Sequence, residues 1–157
     1  MTGVEVERKF LLPAPPPRLE AYPSKRLEQG YLAIDPAGAE VRIRRKDGET
    51  LLTVKTGIGL IRGEEEFAID RERFERLWPL TAGRQVVKTR YFVPLEGGLT
   101  AEVDVYDGDL DGLVTGEIEF PDAQTALAFV APEWLGRDVT DDPRYANRTL
   151  AVEGIPD

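Results

Sequence analysis

The sequence has no cysteine, no histidine and a single serine, Ser24. Disulfides, thiolate zinc sites, imidazole bases and every Ser/His or Cys/His catalytic pair are thereby excluded. A metal held by this chain has only oxygen ligands to use, which favours a hard cation such as Mg²⁺, Mn²⁺ or Ca²⁺ over zinc or copper. Basic charge is in deficit too. Twenty Lys and Arg stand against 29 Asp and Glu, and the net charge of -9 argues against nonspecific binding to nucleic acid or to an anionic membrane. No apolar run is long enough to span a bilayer, and Met1-Thr2-Gly3-Val4-Glu5 carries no apolar signal core, so a cytoplasmic location is expected. What the chain does have is 41% hydrophobic residues over 157 positions, enough for one globular domain, 1–157, with a substantial core.

The charge that is present is sorted by strand alternation. Written as a strand, Glu5-Val6-Glu7-Arg8-Lys9 puts Glu5, Glu7 and Lys9 on one face and Val4, Val6, Arg8 and Phe10 on the other. Same-face neighbours lie roughly 6 to 7 Å apart, so the two carboxylates can share a cation or hold two side by side. The pattern recurs along the chain. Gln29 and Tyr31 oppose Leu32 and Ile34; Arg42 and Arg44 oppose Val41 and Ile43; Thr53 and Lys55 oppose Leu52 and Val54. Further on, Glu64 and Glu66 alternate with Glu65 and Phe67, Lys88 and Arg90 with Val87 and Thr89, Glu102, Asp104 and Tyr106 with Val103 and Val105, and Glu117 and Glu119 with Ile118 and Phe120.

Turn chemistry separates these runs at Asp35-Pro36-Ala37-Gly38, Asp47-Gly48 and Glu96-Gly97-Gly98. Gly57-Ile58-Gly59-Leu60 lacks both the third glycine and the GK[ST] of a phosphate loop and reads as a connection. Asp107-Gly108-Asp109-Leu110-Asp111-Gly112 begins like a calcium loop, but Ile118 stands where the closing glutamate belongs, so it reads as a turn. Helices are predicted from an Asp70 N-cap to about Trp78, over Asp122 to Val130, and over Pro143 to Val152.

Eight antiparallel strands of this kind can close into a barrel. Because the helices carry apolar stripes, they can cover the apolar strand faces from outside, leaving the charged faces to line the interior. The expected fold is therefore α+β, an eight-stranded antiparallel β-barrel or tunnel with a charged interior and helices packed outside. Its interior would hold Glu5, Glu7, Glu64, Glu66, Glu102, Asp104, Glu117 and Glu119 with Lys9, Arg42, Arg44, Lys55, Lys88 and Arg90. Unpaired charges inside such a barrel cost several kcal/mol each, so it should be wet and should take its counter-ions from a ligand. A multiply phosphorylated anion arriving with divalent metals satisfies both signs.

Glu5-Val6-Glu7-Arg8-Lys9 also resembles the ExExK signature of the CYTH superfamily, the triphosphate tunnel metalloenzymes. Gln29-Gly30-Tyr31-Leu32, Arg42-x-Arg44, Lys55, Glu64-x-Glu66, Lys88-x-Arg90, Glu102-x-Asp104 and Glu117-x-Glu119 fall in that family's order, and Trp134 to Thr140 with Arg144-Tyr145-Ala146-Asn147 looks like the ending of its short bacterial members. The resemblance implies a tunnel that binds triphosphate with Mg²⁺ or Mn²⁺ and hydrolyses it, or in some members cyclises ATP. It implies a main metal site at Glu7, Glu117 and Glu119, a second at Glu5 with Glu64 or Glu66, and triphosphate binding by Arg42, Arg44, Lys55, Lys88 and Arg90. Glu102 and Asp104 complete the candidate metal ligands. Lys9 with Tyr31 would be the dyad that activates water, although Glu5 and Glu7 beside Lys9 favour a charged ammonium unless bound metals offset them. Inorganic triphosphate is the expected substrate, acted on by a monomer or homodimer, because the short chain leaves little structure to grip a base. A class IV type adenylate cyclase, a nucleoside or thiamine triphosphatase, and a polyphosphate-binding sensor are the alternatives.

Overall fold

Alternation builds the architecture. The computed structural model describes residues 3–157; Met1 and Thr2, at the N-terminus read above, lie outside the described residues. Strands β1 (Gly3–Leu11), β2 (Ser24–Ile34), β3 (Glu40–Lys46), β4 (Glu49–Thr56) and β5 (Ile61–Ala68) precede helix α1 (Arg71–Leu77). There follow β6 (Gln85–Pro94), β7 (Thr100–Tyr106), β8 (Val114–Glu119), α2 (Ala123–Ala128), a short β9 (Arg137–Asp138) and α3 (Asn147–Glu153). The sheet runs β5-β4-β3-β2-β6-β7-β8-β1-β9, antiparallel throughout, and a β1–β5 pairing closes its first eight strands into a barrel.

β1 makes that closure by changing partners midway. Gly3 to Val6 pair with β5, whereas Glu7 to Leu11 pair with β8. Beside the second half of β1, where β5 is no longer its partner, β9 pairs with Phe10 and Leu11. The Lys9 carbonyl accepts from Val139 N at 2.8 Å, and Lys9 N donates to Thr140 Oγ1 at 3.0 Å. The C-terminal segment thus forms part of the wall. β9 was not anticipated, because two residues carry no periodicity to read.

The apolar strand faces point outward, as expected. Val6, Phe10, Val93, Ala101, Val103, Val114 and Ile118 are buried with Phe120, Ala126 of α2 and Leu135. A second cluster closes one end of the barrel: Val86 and Tyr106 meet Leu110, Leu113, Val139, Tyr145 and Leu150. Since Val86 shares a face with Lys88, and Tyr106 with Asp104, this cluster fills the interior from that end. Gly30 shows how close the outer layer sits. A Cβ there would come within 2.3 Å of Thr81 Oγ1.

Two predicted helices are shorter than expected. The stretch from Asp122 to Val130 is helical only over Ala123–Ala128, with the Asp122 side chain accepting from Thr125 N. Its exit is fixed by Arg8, whose Nη1 donates to the carbonyls of both Ala126 and Phe129 at 2.9 Å. The stretch from Pro143 breaks at Ala146, extended at φ -65° and ψ 138°, into a 3-10 turn, Pro143–Tyr145, and α3. That break lets Tyr145 and Leu150 join the same end cluster. Among the described residues no helix is long and apolar enough to cross a membrane.

Candidate active site

β1, β3, β4, β5, β6, β7 and β8 all send charged side chains into one cavity. Its wall includes Glu5, Glu7, Lys9, Tyr31, Arg42, Arg44, Lys55, Glu64, Glu66, Lys88, Arg90, Glu102, Glu117 and Glu119. Of the residues expected in the interior, Asp104 alone is absent from that wall. It lies behind it with 0% side-chain exposure, accepting from Arg90 Nε at 2.8 Å and Nη2 at 2.9 Å, with Lys88 Nζ at 2.7 Å. Its lone pairs are committed to these two cations.

The remaining charges form a linked network. Arg90 Nη2 also donates to Glu117 Oε1 at 2.8 Å, and its Nη1 lies 3.4 Å from Glu102 Oε1. Lys55 Nζ bridges Glu5 Oε1 at 2.9 Å and Glu64 Oε2 at 3.4 Å. Glu66 accepts from Thr53 Oγ1 at 2.7 Å and Arg44 Nη2 at 3.1 Å. Gln29 Nε2 donates to the Tyr31 hydroxyl at 3.0 Å, and Arg42 lies beside the same hydroxyl. The structure thus surrounds Tyr31 with Gln29, Arg42 and Glu40, while Lys9 faces Glu117.

Burial drives the electrostatics, and local partners decide which way each group moves. Burial, then the neighbouring Glu117 and Glu5, push Glu7 well above the carboxylate range. Burial also disfavours a charged Glu117, but Lys9, Arg90 and Lys88 outweigh it and hold that carboxyl well below its usual range. Burial, then Glu5 and Glu102, raise Glu119. Burial lowers Lys88 to about 8 against the pull of Asp104. Burial, then Arg42 and Arg90, lower Arg44 to about 10. Burial and Glu40 raise Tyr31, and Arg42 offsets only part of that.

The wall asks for ligands of both signs. Among the described residues Arg42 Nε and Arg44 Nε are buried donors without a partner, which suits an anion. Burial and the neighbouring Glu117 and Glu5 disfavour a charged Glu7, and a cation with all-oxygen ligation would relieve that repulsion. Among the described residues no three acids are gathered into a ready cage; Glu5 and Glu117 are turned to Lys55 and Arg90 instead.

Several wall residues were missed by sequence reading. Glu40 and Lys46 share a face with Arg42 and Arg44, so alternation reaches them, but they sit at the strand ends beside turns. Glu40 accepts from Arg62 Nη2 at 3.0 Å and from Arg148 Nη1 at 3.4 Å. Thr140, Asp142, Asn147 and Arg148 come from the C-terminal segment, where no strand period points inward. Asn147 Oδ1 accepts from the Tyr106 hydroxyl at 2.7 Å, tying α3 to the barrel interior.

An inorganic triphosphatase of Nitrosomonas europaea is 44% identical over 149 residues, spanning 94% of this chain and 97% of that protein. Another, from Acetivibrio thermocellus, is 37% identical over 154 residues, spanning 94% of this chain and 93% of that protein. The crystal structure of an inorganic triphosphatase superposes with a TM-score of 0.72 at 39% identity over 97% of each chain. No protein-family profile matches the sequence. With such identity over nearly its whole length and the same barrel, the chain belongs to the inorganic triphosphatase family of the CYTH superfamily.

Proposed function

We propose that this protein hydrolyses inorganic triphosphate to pyrophosphate and phosphate with Mg²⁺ or Mn²⁺, as a cytoplasmic monomer or homodimer. One observation carries the reading. The basic wall residues Arg42, Arg44, Lys55, Lys88 and Arg90 come from β3, β4 and β6, and the acids Glu5, Glu7, Glu117 and Glu119 come from β1 and β8. A bare polyanion suits the first set and is repelled by the second; one accompanied by divalent cations suits both.

Glu7, Glu117 and Glu119 would hold one cation and Glu5 with Glu64 or Glu66 another, where it supplies Lewis-acid polarisation of phosphoryl oxygens. The chain's own groups do the rest. Arg42 and Arg44, with buried unpartnered Nε atoms, grip non-bridging oxygens. Arg90, fixed by Asp104, and Lys88 behind it stabilise charge spreading over the transferred phosphoryl group. A water oxygen bonds to a terminal phosphorus while the bridging P–O bond breaks, and its electron pair leaves on pyrophosphate. Of the Lys9–Tyr31 dyad, Lys9 in its neutral form would take the water proton, the cations held by Glu5, Glu7 and Glu117 offsetting the carboxylates that otherwise keep it charged. Tyr31, raised by burial, keeps its own and orients Arg42.

The test is phosphate and pyrophosphate release from tripolyphosphate, ATP and thiamine triphosphate, each with Mg²⁺, Mn²⁺ or chelator, with cyclic AMP scored in the ATP reactions. Fast metal-dependent cleavage of tripolyphosphate with weak ATP turnover supports the proposal. Cyclic AMP as the main product, or tight binding without turnover, refutes it.

A further inference from the structure

One end of the barrel is filled with apolar side chains, and the opposite end is charged. At that filled end the apolar cluster around Tyr106, Val139, Tyr145 and Leu150 occupies the barrel, and Arg148 ties α3 to the turn before β3 by donating to Gly38 O at 3.1 Å. Extra length in a bound linear anion is therefore directed away from the filled end, toward the charged mouth. There, β3 continues its inward row from Arg42 and Arg44 to Lys46, which lines the cavity. On β2, the partner of both β3 and β6, Lys25 pairs with Arg90 in register, and Leu27 pairs with both Lys46 and Lys88. Cross-strand partners share a face, so Lys25 and Lys46 both stand on the interior side.

Their surroundings hold little compensating charge, although Glu49 is the cross-strand partner of Lys46. Among the described residues neither Lys25 nor Lys46 makes an ion pair within 4 Å, whereas Lys55, Lys88, Arg44 and Arg90 all do. Burial, then the like charges of Arg44, Lys25 and Arg90, disfavour the Lys46 ammonium, with Glu102 a smaller opposing influence. Like charges drawn together at an opening attract an anion that the inner wall does not already neutralise.

We propose that Lys25 and Lys46 form an outer phosphate subsite at the mouth, which binds the overhanging phosphoryl group of linear polyphosphates longer than three units. This rests on the inner wall holding triphosphate, as proposed above. A triphosphate seated toward the filled end leaves the outer subsite to bulk anions. A tetraphosphate places its last phosphoryl group between the two ammonium groups, and an uncharged base gains nothing there.

The test is calorimetric titration of wild type and the Lys25→Gln/Lys46→Gln double variant with tripolyphosphate and with tetrapolyphosphate. It is run in chelator and repeated as KM with Mg²⁺. Two exposed ion pairs correspond to a loss of roughly fivefold to tenfold in affinity. That loss is expected for tetrapolyphosphate beyond any loss for tripolyphosphate, and Lys25→Arg/Lys46→Arg should restore it. Equal losses for both ligands would mean general steering and would overturn the subsite, as would wild type binding tetrapolyphosphate tenfold more weakly than tripolyphosphate. Phosphate release by the same preparation separates the two readings, because a tetraphosphate preference without tripolyphosphate turnover removes the triphosphatase and keeps the subsite.

Discussion

Replacing Asp104 with asparagine should cost about 3 to 4 kcal/mol of folding stability, a large loss for so small a chemical change. Asp104 is 0% exposed and holds Arg90 through two hydrogen bonds at 2.8 and 2.9 Å and Lys88 through one contact at 2.7 Å. Unit charges 4 Å apart interact by about 4 kcal/mol at an effective dielectric constant of about 20, so two such cations anchor the carboxylate against its desolvation. An amide of the same shape keeps one acceptor oxygen and points an NH₂ at the other donors. Two buried cations are then left with half a partner, and breaking one side of a buried pair typically costs about 3 to 5 kcal/mol. Lys88, already lowered to about 8, can shed its proton and relieve part of this, which puts the expectation in the lower half of that range. The assay is urea unfolding, with Glu102→Gln as the control. Glu102 is 24% exposed and lies 3.4 Å from Arg90, so its loss should cost below about 1 kcal/mol. The cost of Asp104→Asn should not change with chelator, since Asp104 is not part of the cavity wall. If Asp104→Asn and Glu102→Gln shift the midpoint equally, or the Asp104 effect disappears with chelator, Asp104 is not the internal anchor described.

Other perturbations separate wall from scaffold. Glu119→Gln should abolish metal-dependent turnover while leaving the urea midpoint within about 1 kcal/mol, because Glu119 sits at the exposed edge of β8. Gly30→Ala should destabilise by about 1 to 3 kcal/mol in the same unfolding assay, since its new Cβ would lie 2.3 Å from Thr81 Oγ1. Tyr31→Phe should retain a substantial rate while raising KM, and Lys9→Ala should lose kcat and the rising, acidic limb of the pH–rate profile that a proton-accepting base produces; the reverse ranking would transfer the base role to Tyr31. Asp138 is held below the usual aspartate range, burial being outweighed by hydrogen bonds from Thr140 and Arg8. A depressed carboxylate contributes stability above its unfolded pKa and loses it as pH falls through the folded value. The gap in thermal midpoint between wild type and Asp138→Asn should therefore be full near neutrality and shrink below about pH 4.

How much of this was legible in the sequence depends on whether a residue belonged to a strand long enough to alternate. Strands of six to eleven residues carry their facing in every second side chain, so Glu5, Glu7, Lys9, Arg42, Arg44, Lys55, Lys88, Arg90, Glu117 and Glu119 could be assigned to one surface without coordinates. The same rule placed Glu64 and Glu66 inward through three consecutive glutamates, and the pairing of Lys55 with Glu64 and Thr53 with Glu66 puts them there. Alternation does not report depth. Glu102 and Asp104 share a face and a motif, yet one lines the cavity and the other is sealed behind it by Arg90 and Lys88. Depth follows from which cations lie across the sheet, and register sets that: Arg90 is paired with Asp104, whereas Glu102 is paired with Phe92.

The C-terminal segment was the least legible part for a related reason. Its inward residues, Val139, Tyr145, Asn147, Arg148 and Leu150, lie just past a strand of two residues, on a 3-10 turn and on a short helix, so no single period links them. Yet this segment shapes the cavity, by completing the wall beside Lys9 and filling the end beneath Tyr106. The strands decide which charges meet a ligand, and the segment that follows them decides which end is filled. Since Arg148 and Arg62 converge on the same Glu40 oxygen, the filled end and the basic row of β3 are joined through one carboxylate. A change at Glu40 therefore reaches both the shape of the cavity and the placement of Arg42, although alternation alone presents Glu40 as one more acid on the wall.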